Sequence, residues 1–356
     1  MNLKLMTLTL LTLTQLAFSA GNIKSDVNIS IMTYNLENLF DNKHDKGKED
    51  WTWLPLKVKQ NSKEVQAYCH SMTNDYYKRS CLELDWSDDI LNKKIKNLSK
   101  VITQYNNGQG ADIVVFQEVE NVNILKELVD KGLKNLGYRY IALKEGPDTR
   151  GIDVGMISKI RVTSKRLYKI NLKPHSHRTT RGILKVNFKH RNKRITVFAN
   201  HWPSQGNNDY TRLKASEVLR DLTDRTRADL VVATGDFNTL HDDMPHGLNR
   251  NIYPIYEDVE EKARKVARIK APGTHWYRGH WESLDKIFVL KKSLRKAKVN
   301  YKSFDILYHD FMLKDLEWED FDTGAINFDE DIPSRFNTKT GEGFSDHLPV
   351  AVTISL

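Results

Sequence analysis

Apolar and polar residues alternate over many short stretches of this chain. Alternation is typical of β-strands, because successive side chains of an extended segment point to opposite faces. The pattern predicts strands at 29–34, 113–117, 138–143, 153–158, 183–188, 195–200, 230–234, 285–290 and 349–355. Apolar residues at helical spacing predict helices at 89–105, 121–135 and 209–227.

Many strands and few helices, without regular strand–helix alternation, favour a mostly antiparallel α/β sandwich covered by helices. The chain has 356 residues, of which 39% are hydrophobic and 28% charged, as is typical of a soluble globular protein. The sequence contains neither an internal repeat nor a low-complexity linker. We therefore expect one domain, and we expect it to be a monomer.

Residues 41–90 interrupt the strand pattern and contain both cysteines of the chain. They are rich in lysine, aspartate, asparagine and aromatic residues. Because structureless loops of this length are rare, we predict a long insertion that is pinned by its own disulfide. A second stretch, 315–331, is acidic and precedes the final strand, and we expect it to be a solvated loop.

The first twenty residues have the layout of a secretory signal peptide: a single lysine, an apolar core and small residues at the end. Leu and Thr alternate from Met6 to Thr14, so an N-terminal strand is the alternative. The absence of acids favours the signal, which predicts a protein of residues 21–356, exported and either secreted or periplasmic. No later apolar run approaches membrane-spanning length, and we expect no stable membrane association.

An exported protein can oxidise its thiols, so we predict that Cys69 and Cys81 form a structural disulfide. Closing so short a loop contributes roughly 2–3 kcal/mol, mostly by restricting the unfolded chain. A zinc site is the alternative, because His70 is adjacent, but no second cysteine pair is present to complete it.

Positive charge is concentrated in one part of the sequence. The formal net charge is +9, and between Asp153 and Asp209 there are thirteen Lys or Arg and no acidic residue. A solvated basic face would account for such a run, but its one-sided charge favours a polyanionic partner. Since alternate strand positions point away from a partner, we expect about three to six contacts with phosphates.

Polar residues recur where the apolar strands end or begin. They are Asn35 and Glu37, Gln117 and Glu118, Asn200 and His201, Asp236 and Asn238, Asp285, and Asp346 and His347. Any one of these is equally well a capped strand end or a turn. Six together indicate a functional site, because rigid scaffolds collect catalytic groups at strand ends.

The same motifs occur in a recognisable order: Asn-Leu-Glu, Gln-Glu-Val, Asn-His, Gly-Asp-Phe-Asn, Leu-Asp-Lys-Ile and Ser-Asp-His-Leu-Pro. With these motifs in this order, the chain resembles the endonuclease/exonuclease/phosphatase superfamily from about Ile29 to its C-terminus. That superfamily includes pancreatic-type deoxyribonuclease and the apurinic-site endonucleases. The resemblance implies a four-layer α/β sandwich, in which two packed, mostly antiparallel sheets are flanked by helices. It also implies hydrolysis of phosphate esters.

The resemblance implies a role for each motif residue. The metal site would comprise Glu118 as principal ligand with Asn35, Glu37 and Asp346, and Mg²⁺ is the expected ion, with Mn²⁺ or Ca²⁺ as alternatives. The catalytic groups would be Asp236, which activates water or assists the leaving group, Asn238, which holds Asp236, the phosphate donors His201 and His347, and Asp285, which orients His347. Arg181 matches a phosphate-contacting arginine, and Trp281 is a candidate for lining the substrate groove.

Three functions are compatible with these residues. The first is a secreted, metal-dependent nuclease, most simply an endonuclease, that cleaves DNA, and RNA as an alternative, with little sequence preference. The second is a phospholipid phosphodiesterase or inositol-phosphate phosphatase, although the aromatic residues of 41–90 are mixed with charge and do not form an apolar membrane hairpin. The third is an inactive nucleic-acid-binding module, against which the complete set of site residues argues.

Overall fold

The computed structural model describes residues 27–320 and 323–356. The predicted signal peptide at 1–20 lies outside these residues. The strands that they form, in chain order, are β1 (Asn28–Leu39), β2 (Ile113–Val119), β3 (Tyr140–Leu143), β4 (Asp153–Ser158), β5 (Val162–Tyr168), β6 (Ile183–His190), β7 (Lys193–His201), β8 (Leu230–Asp236), β9 (Tyr256–Asp258), β10 (His275–Tyr277), β11 (His280–Glu282), β12 (Asp285–Leu290), β13 (Lys298–Ile306), β14 (Leu313–Glu319), β15 (Ile326–Pro333) and β16 (Val350–Ser355).

Helices are fewer than strands in the described residues. They are α1 (Leu56–Asn61), α2 (Lys63–Ser71), α3 (Asp75–Glu83), α4 (Asp88–Ile102), α5 (Val122–Glu127), α6 (Asp209–Asp224) and α7 (Val259–Ala263). Single π-helical turns follow at Leu128–Gly132 and Leu248–Ile252. The helix predicted at 121–135 is therefore α5 continued by a π-helical turn.

Two six-stranded sheets form the body of the fold. The first has the order β13-β16-β1-β2-β4-β3 and the second β5-β6-β7-β8-β12-β9. Each sheet contains one parallel pair, β1 with β2 and β7 with β8, and its other neighbours are antiparallel. The predicted mostly antiparallel sandwich is confirmed.

The sheets pack face to face, and helices cover their outer faces. One apolar cluster joins side chains of both sheets, such as Val115 and Val232, and extends to α4 and α5. A second cluster lies between the second sheet and α6, and includes Val231, Ala233 and Leu219. Strand β8 is thus covered on both faces, which explains its continuous apolar sequence. The arrangement is the four-layer sandwich that the sequence predicted.

Residues 41–90 contain α1, α2 and α3 and have a small apolar cluster of their own. Cys69 and Cys81 lie at its centre and form the predicted disulfide, with their Cα atoms 5.5 Å apart. The segment is attached to the main body by Trp86, which is fully buried and whose Nε1 donates to the Phe40 carbonyl at 3.0 Å.

The expectation of a solvated loop at 315–331 was wrong. Strands β14 and β15 pair there as an antiparallel hairpin. Its alternating half-buried positions include Trp318, whose ring packs edge-on against Trp276 of β10 at 5.9 Å. In β14 the acidic residues Asp315, Glu317 and Glu319 are exposed beside the half-buried Leu316 and Trp318. In β15 the apolar residues Ile326 and Phe328 are themselves exposed, and the many acidic residues concealed the strand alternation.

We predict that the disulfide stabilises residues 41–90 rather than the sandwich. Replacing both cysteines, as in Cys69→Ser/Cys81→Ser, should lower the stability of this segment by about 3 kcal/mol, because a short loop is no longer closed in the unfolded chain. Hydrogen exchange should show faster exchange in α2 and α3 and unchanged protection in β1 and β8. Equal loss of protection in both sheets would contradict this.

Candidate active site

Strand direction brings the polar strand ends together. β1, β2, β7 and β8 end at the same edge of the sandwich, and antiparallel β12 begins there with Asp285 directly opposite Asp236. Asp346 and His347 lie just before β16, which pairs antiparallel with β1. The predicted site residues of both sheets therefore meet at one edge.

Asp236 is the most heavily hydrogen-bonded residue of this site. The Asn238 backbone N–H donates to its Oδ1 at 2.8 Å, and the Asn238 side chain donates to its Oδ2 at 2.9 Å. Asn35 of the other sheet also donates to Oδ2, at 3.2 Å. Burial, followed by the nearby Asp285 carboxylate, raises the pKa of Asp236 to about 7. A buried carboxyl group in this position can exchange a proton near neutral pH.

Three site residues have a backbone conformation that side chains rarely adopt. Glu37, Glu118 and Asn238 have φ angles of +49°, +57° and +46°. At Glu118 the pairing of β2 with both of its neighbours shifts register, which is a β-bulge. Such conformations cost energy and persist where the surrounding structure enforces them, as at functional sites.

His347 and Asp285 form a buried pair. The Nδ1 atom of His347 lies 2.6 Å from Asp285 Oδ2, and Asp285 is inaccessible to solvent. Burial by itself lowers the pKa of His347, but the Asp285 carboxylate outweighs it, and the net effect raises the pKa well above its usual range. His347 is therefore a cation at neutral pH, and its Nε2–H is the donor left for another group.

His201 has the opposite electrostatic environment. Burial, together with the positive charges of Arg181 and Arg150, lowers the pKa of His201 well below its usual value. Its Nε2 lies 3.7 Å from Glu118 Oε1 and 3.6 Å from Asp236 Oδ2, which is beyond hydrogen-bond distance. The site thus contains one neutral and one cationic histidine.

Glu37, Glu118 and Asp346 supply three carboxylates on the side of the first sheet. Burial, then the Asp346 charge, raises the pKa of both glutamates. Asp346 is also buried, but His347 and Arg335 hold its pKa below the usual value. Three like charges in so little solvent leave a negative site that a cation would stabilise.

Two basic residues that sequence reasoning missed lie beside these carboxylates. Arg335 donates to Glu37 Oε1 at 2.7 Å, and its Nη2 lies 3.2 Å from Asp346 Oδ2. Lys94 of α4 is fully buried and donates to the carbonyls of Glu37 and Phe344, and burial lowers its pKa to about 8. They offset part of the negative charge without contacting Glu118.

The carboxylates and the Asn35 amide suit a hard divalent cation, since Mg²⁺ and similar ions prefer oxygen ligands. A different group, His275 with Asp346 and His347, has ligand atoms within 4.8 Å of one another. His347 is a cation, however, and cannot donate a lone pair to a metal. The donor set therefore fits the predicted ligands Asn35, Glu37, Glu118 and Asp346 better than the histidine group.

His275 is a further residue that the sequence did not assign to the site. Its backbone pairs with that of His347, and the two rings lie 4.6 Å apart. Burial, followed by the charge of His347, lowers the pKa of His275 to about 3. Trp281, on the same hairpin, packs instead against the apolar core and the ring of Tyr308. Its proposed contact with substrate stays a prediction.

Arg181 lies where the sequence predicted, beside the catalytic groups. Its Nη2 donates to the Trp202 carbonyl at 3.0 Å, and its Nη1 lies 3.7 Å from Asp148 Oδ2. The Nε atom has no hydrogen-bond partner among residues 27–320 and 323–356. The buried guanidinium therefore has a donor available close to His201 and Glu118, with which its charge interacts.

The comparisons with known proteins agree with this fold. A model of the endonuclease/exonuclease/phosphatase family matches residues 69–356. A search of curated proteins found no match. Similar solved structures include Danio rerio TDP2 complexed with a single-strand DNA product, which is 14% identical, with a TM-score of 0.52, 93% of this chain covered and 100% of the other.

Two bacterial structures are equally similar. A Bacteroides thetaiotaomicron endonuclease/exonuclease/phosphatase family protein is 14% identical, with a TM-score of 0.52 and coverage of 93% of this chain and 96% of the other. A mannosyl-6-phosphatase of the same species is 14% identical, with a TM-score of 0.53 and coverage of 92% and 100%. At such identity these likenesses show the fold alone, whereas the family model spans most of the chain. This protein belongs to the endonuclease/exonuclease/phosphatase family and is a metal-dependent phosphoesterase.

Proposed function

We propose that this protein is an exported nuclease that hydrolyses phosphodiester bonds of DNA with little sequence preference, with RNA as an alternative substrate. The observation that carries the proposal is that a basic loop lies at the same edge of the sandwich as the catalytic groups. A phosphodiester resists hydrolysis because its charged oxygens repel a nucleophile. A site for it must neutralise that charge, activate water and stabilise the leaving oxygen.

The residues divide these tasks between the two sheets. Asn35, Glu37, Glu118 and Asp346 would hold the divalent ion, which when bound polarises the phosphate and acidifies a water molecule. The cationic His347, oriented by Asp285, donates from Nε2 to a phosphate oxygen. Asp236 accepts a proton from the attacking water or returns one to the leaving oxygen. Asn35 and Asn238 fix the direction of its lone pairs through their amide donors.

Strand register places ten of the thirteen basic residues at one or the other end of the sheet, and Lys165, Arg166 and Lys185 lie along β5 and β6 between them. Tyr168 pairs with Ile183 at the active-site end, and Val162 pairs with Phe188 at the other. The active-site end has Lys169, Lys173, Arg178 and Arg181. The opposite end, about 25 Å away along the strands, has Lys159, Arg161, Lys189, Arg191, Lys193 and Arg194.

Two exposed tyrosines add an aromatic surface near the site. Tyr76 and Tyr77 of α3 are 72% and 62% exposed, and their rings lie 5.5 Å apart, edge to face. Tyr76 lies close to Arg335 and Tyr77 close to Arg150, which places both rings on the rim of the site. Aromatic faces beside a basic groove suit the stacking of unpaired bases, which supports a nucleic-acid substrate.

A second candidate function is hydrolysis of a small phosphate ester. The acidic β14–β15 hairpin packs against β10, and His275 of β10 lies beside His347 in the site. One wall of the site is therefore negatively charged and would repel a long polyanion. A mannosyl-6-phosphatase with this fold illustrates such a substrate. No helix within residues 27–320 or 323–356 combines the length and apolarity needed to traverse a bilayer.

Activity should depend on a divalent metal held by Glu118. We expect Glu118→Gln to lower turnover on plasmid DNA by at least ~100-fold, with an unchanged melting temperature, because one carboxylate is lost and no cavity is formed. EDTA should have the same effect on the unaltered protein. Glu127→Gln, which alters a partly exposed acid on α5 outside the site, is the matched control. Turnover near the original value in EDTA would refute metal dependence.

The Asp285 carboxylate should determine the pH range of activity. In the unaltered protein His347 has a raised pKa and keeps its proton as pH rises through neutrality. In Asp285→Asn the pKa of His347 should fall, so activity should decline as pH rises through about 6.5, in addition to a loss of about 10²–10⁴-fold in kcat/KM. Rate profiles measured between about pH 5 and 9, which spans the ordinary titration range of histidine, test this, with Asp305→Asn as control. An unchanged alkaline limb would contradict the assigned role.

The basic loop at the active-site end, rather than the whole basic stretch, should bind the nucleic-acid backbone. Arg178→Ala should weaken DNA binding and reduce the log–log salt slope by about 0.9. Lys193→Ala, at the far end of the same sheet, should leave both unchanged. Binding is measured with Asp236→Asn protein so that the substrate stays intact. Salt-independent binding of DNA, combined with rapid hydrolysis of inositol phosphates or sugar phosphates, would favour the second candidate function.

A further inference from the structure

A second group of acidic residues lies outside the active site. Asp41, Asp45 and Asp50 belong to the segment that follows β1, and Glu120 follows β2. The ligand oxygens of Asp45, Asp50 and Glu120 lie within 4.8 Å of one another. The function proposed above uses none of these four carboxylates.

The burial of this group is unusual for acids. Asp41, Asp50 and Glu120 are only 5%, 2% and 2% exposed. Glu120 Oε1 is buried and has no hydrogen-bond partner in the part of the chain that the structure describes, whereas its Oε2 accepts from the Asp41 N–H at 2.8 Å. Burying an unpaired carboxylate oxygen among other carboxylates is costly, and the cost is relieved either by protonation or by a bound cation.

The neighbouring groups orient the carboxylates but do not neutralise them. The Asn121 amide donates to Asp41 Oδ2 at 3.1 Å and to Asp45 Oδ2 at 3.0 Å. The Asp45 N–H donates to Asp50 Oδ2 at 2.7 Å. Lys48 of this segment donates instead to the carbonyls of Gly146 and Asp148, whereas the charge of Lys43 acts on Asp41.

His44 is another basic residue of the segment. Its Nδ1 contacts Asp50 Oδ1, and its ring stacks on Trp51 at 3.4 Å. It faces one carboxylate of the group and cannot balance four. The remaining oxygens of Asp45, Asp50 and Glu120 converge without a positive partner, and this convergence is what a bound metal ion would require.

We propose that Asp45, Asp50 and Glu120, assisted by Asp41, form a second cation site that binds Ca²⁺. The donors are carboxylate oxygens, and Ca²⁺ accepts six to eight such ligands at about 2.3–2.6 Å in flexible geometry. Two ligands on opposite sides of Ca²⁺ are then about 4.8 Å apart, which the observed separations allow. Zn²⁺ prefers nitrogen and sulfur ligands and fits this donor set less well.

The site would have a structural role. It joins the start of the 41–90 segment to the end of β2, where the Glu120 N–H also donates to the Leu39 carbonyl at 3.1 Å. Glu37 and Glu118 lie on the strand ends that are joined in this way. A cation here would therefore stabilise the backbone from which two active-site carboxylates project, without contacting the substrate.

Terbium luminescence in a Glu118→Gln background tests the proposal. The substitution weakens the catalytic metal site, and Tb³⁺ is an oxygen-seeking substitute for Ca²⁺ that nearby tryptophans such as Trp51 sensitise. We expect sensitised emission that Ca²⁺ displaces, and a rise in melting temperature of at least ~3 °C at saturating Ca²⁺. Adding Asp45→Asn should weaken Tb³⁺ binding at least ~10-fold and remove the shift.

Glu49→Gln is the matched control, because Glu49 is an exposed acid of the same segment, and it should behave as the parent. Asp45 is only half-buried, so Asp45→Asn should fold, which circular dichroism verifies. Equal Ca²⁺ shifts with and without Asp45→Asn would overturn the proposal. The proposal would also be overturned if the Glu118→Gln protein bound neither Tb³⁺ nor Ca²⁺, because all binding would then belong to the catalytic site. This second outcome does not depend on how the Asp45 variant folds.

Discussion

One parallel strand pair at the centre of each sheet is the constraint on which the site depends. Because β1 runs with β2 and β7 with β8, four strands end at one edge of the sandwich, two from each sheet. Face-to-face packing then fixes the distance between Glu118 and Asp236. The hydrogen bond from Asn35 to Asp236 crosses this gap at 3.2 Å and joins the two halves of the site. Neither sheet alone could assemble it.

The site is held in an electrostatically unfavourable state by the rest of the fold. Burial raises the pKa of Glu37, Glu118 and Asp236, and Glu37 and Glu118 also have positive φ angles. Because a folded domain is only marginally stable, it can sustain only a limited amount of electrostatic repulsion and backbone strain. Lys94 and Arg335 reduce the repulsion on one side, and His347 reduces it on the other. The negative charge that remains at Glu118 is the part left for a metal ion.

The residues that meet at the candidate site could be identified from the sequence, because each occupies a short motif at a strand end. Lys94 belongs to no motif. Its position does lie on the apolar stripe of α4, between Leu91 and Ile95, so the helical pattern alone indicates that this lysine is buried. Arg335 follows a hairpin whose acidic residues concealed its strands, so no local pattern pointed to it. His275 enters the site only through its pairing with His347, a contact between distant parts of the chain.

The basic stretch shows why charge along a sequence is a weak guide to charge in space. Lys193 and Arg181 are twelve positions apart in the chain but lie at opposite ends of the second sheet, since β6 runs along its whole length between them.

The proposed reaction and the choice of substrate depend on different elements of the fold. The strand ends carry the predicted catalytic and metal-binding groups, whereas in the proposed function the 169–181 loop, the tyrosines of α3 and the acidic hairpin form the walls around them. Segment 41–90 begins directly after β1, and Trp86 ties it to the Phe40 carbonyl and packs against Phe336, next to Arg335. A change in that segment can thus alter the walls and the position of Glu37 together, whereas a change in the hairpin alters a wall alone.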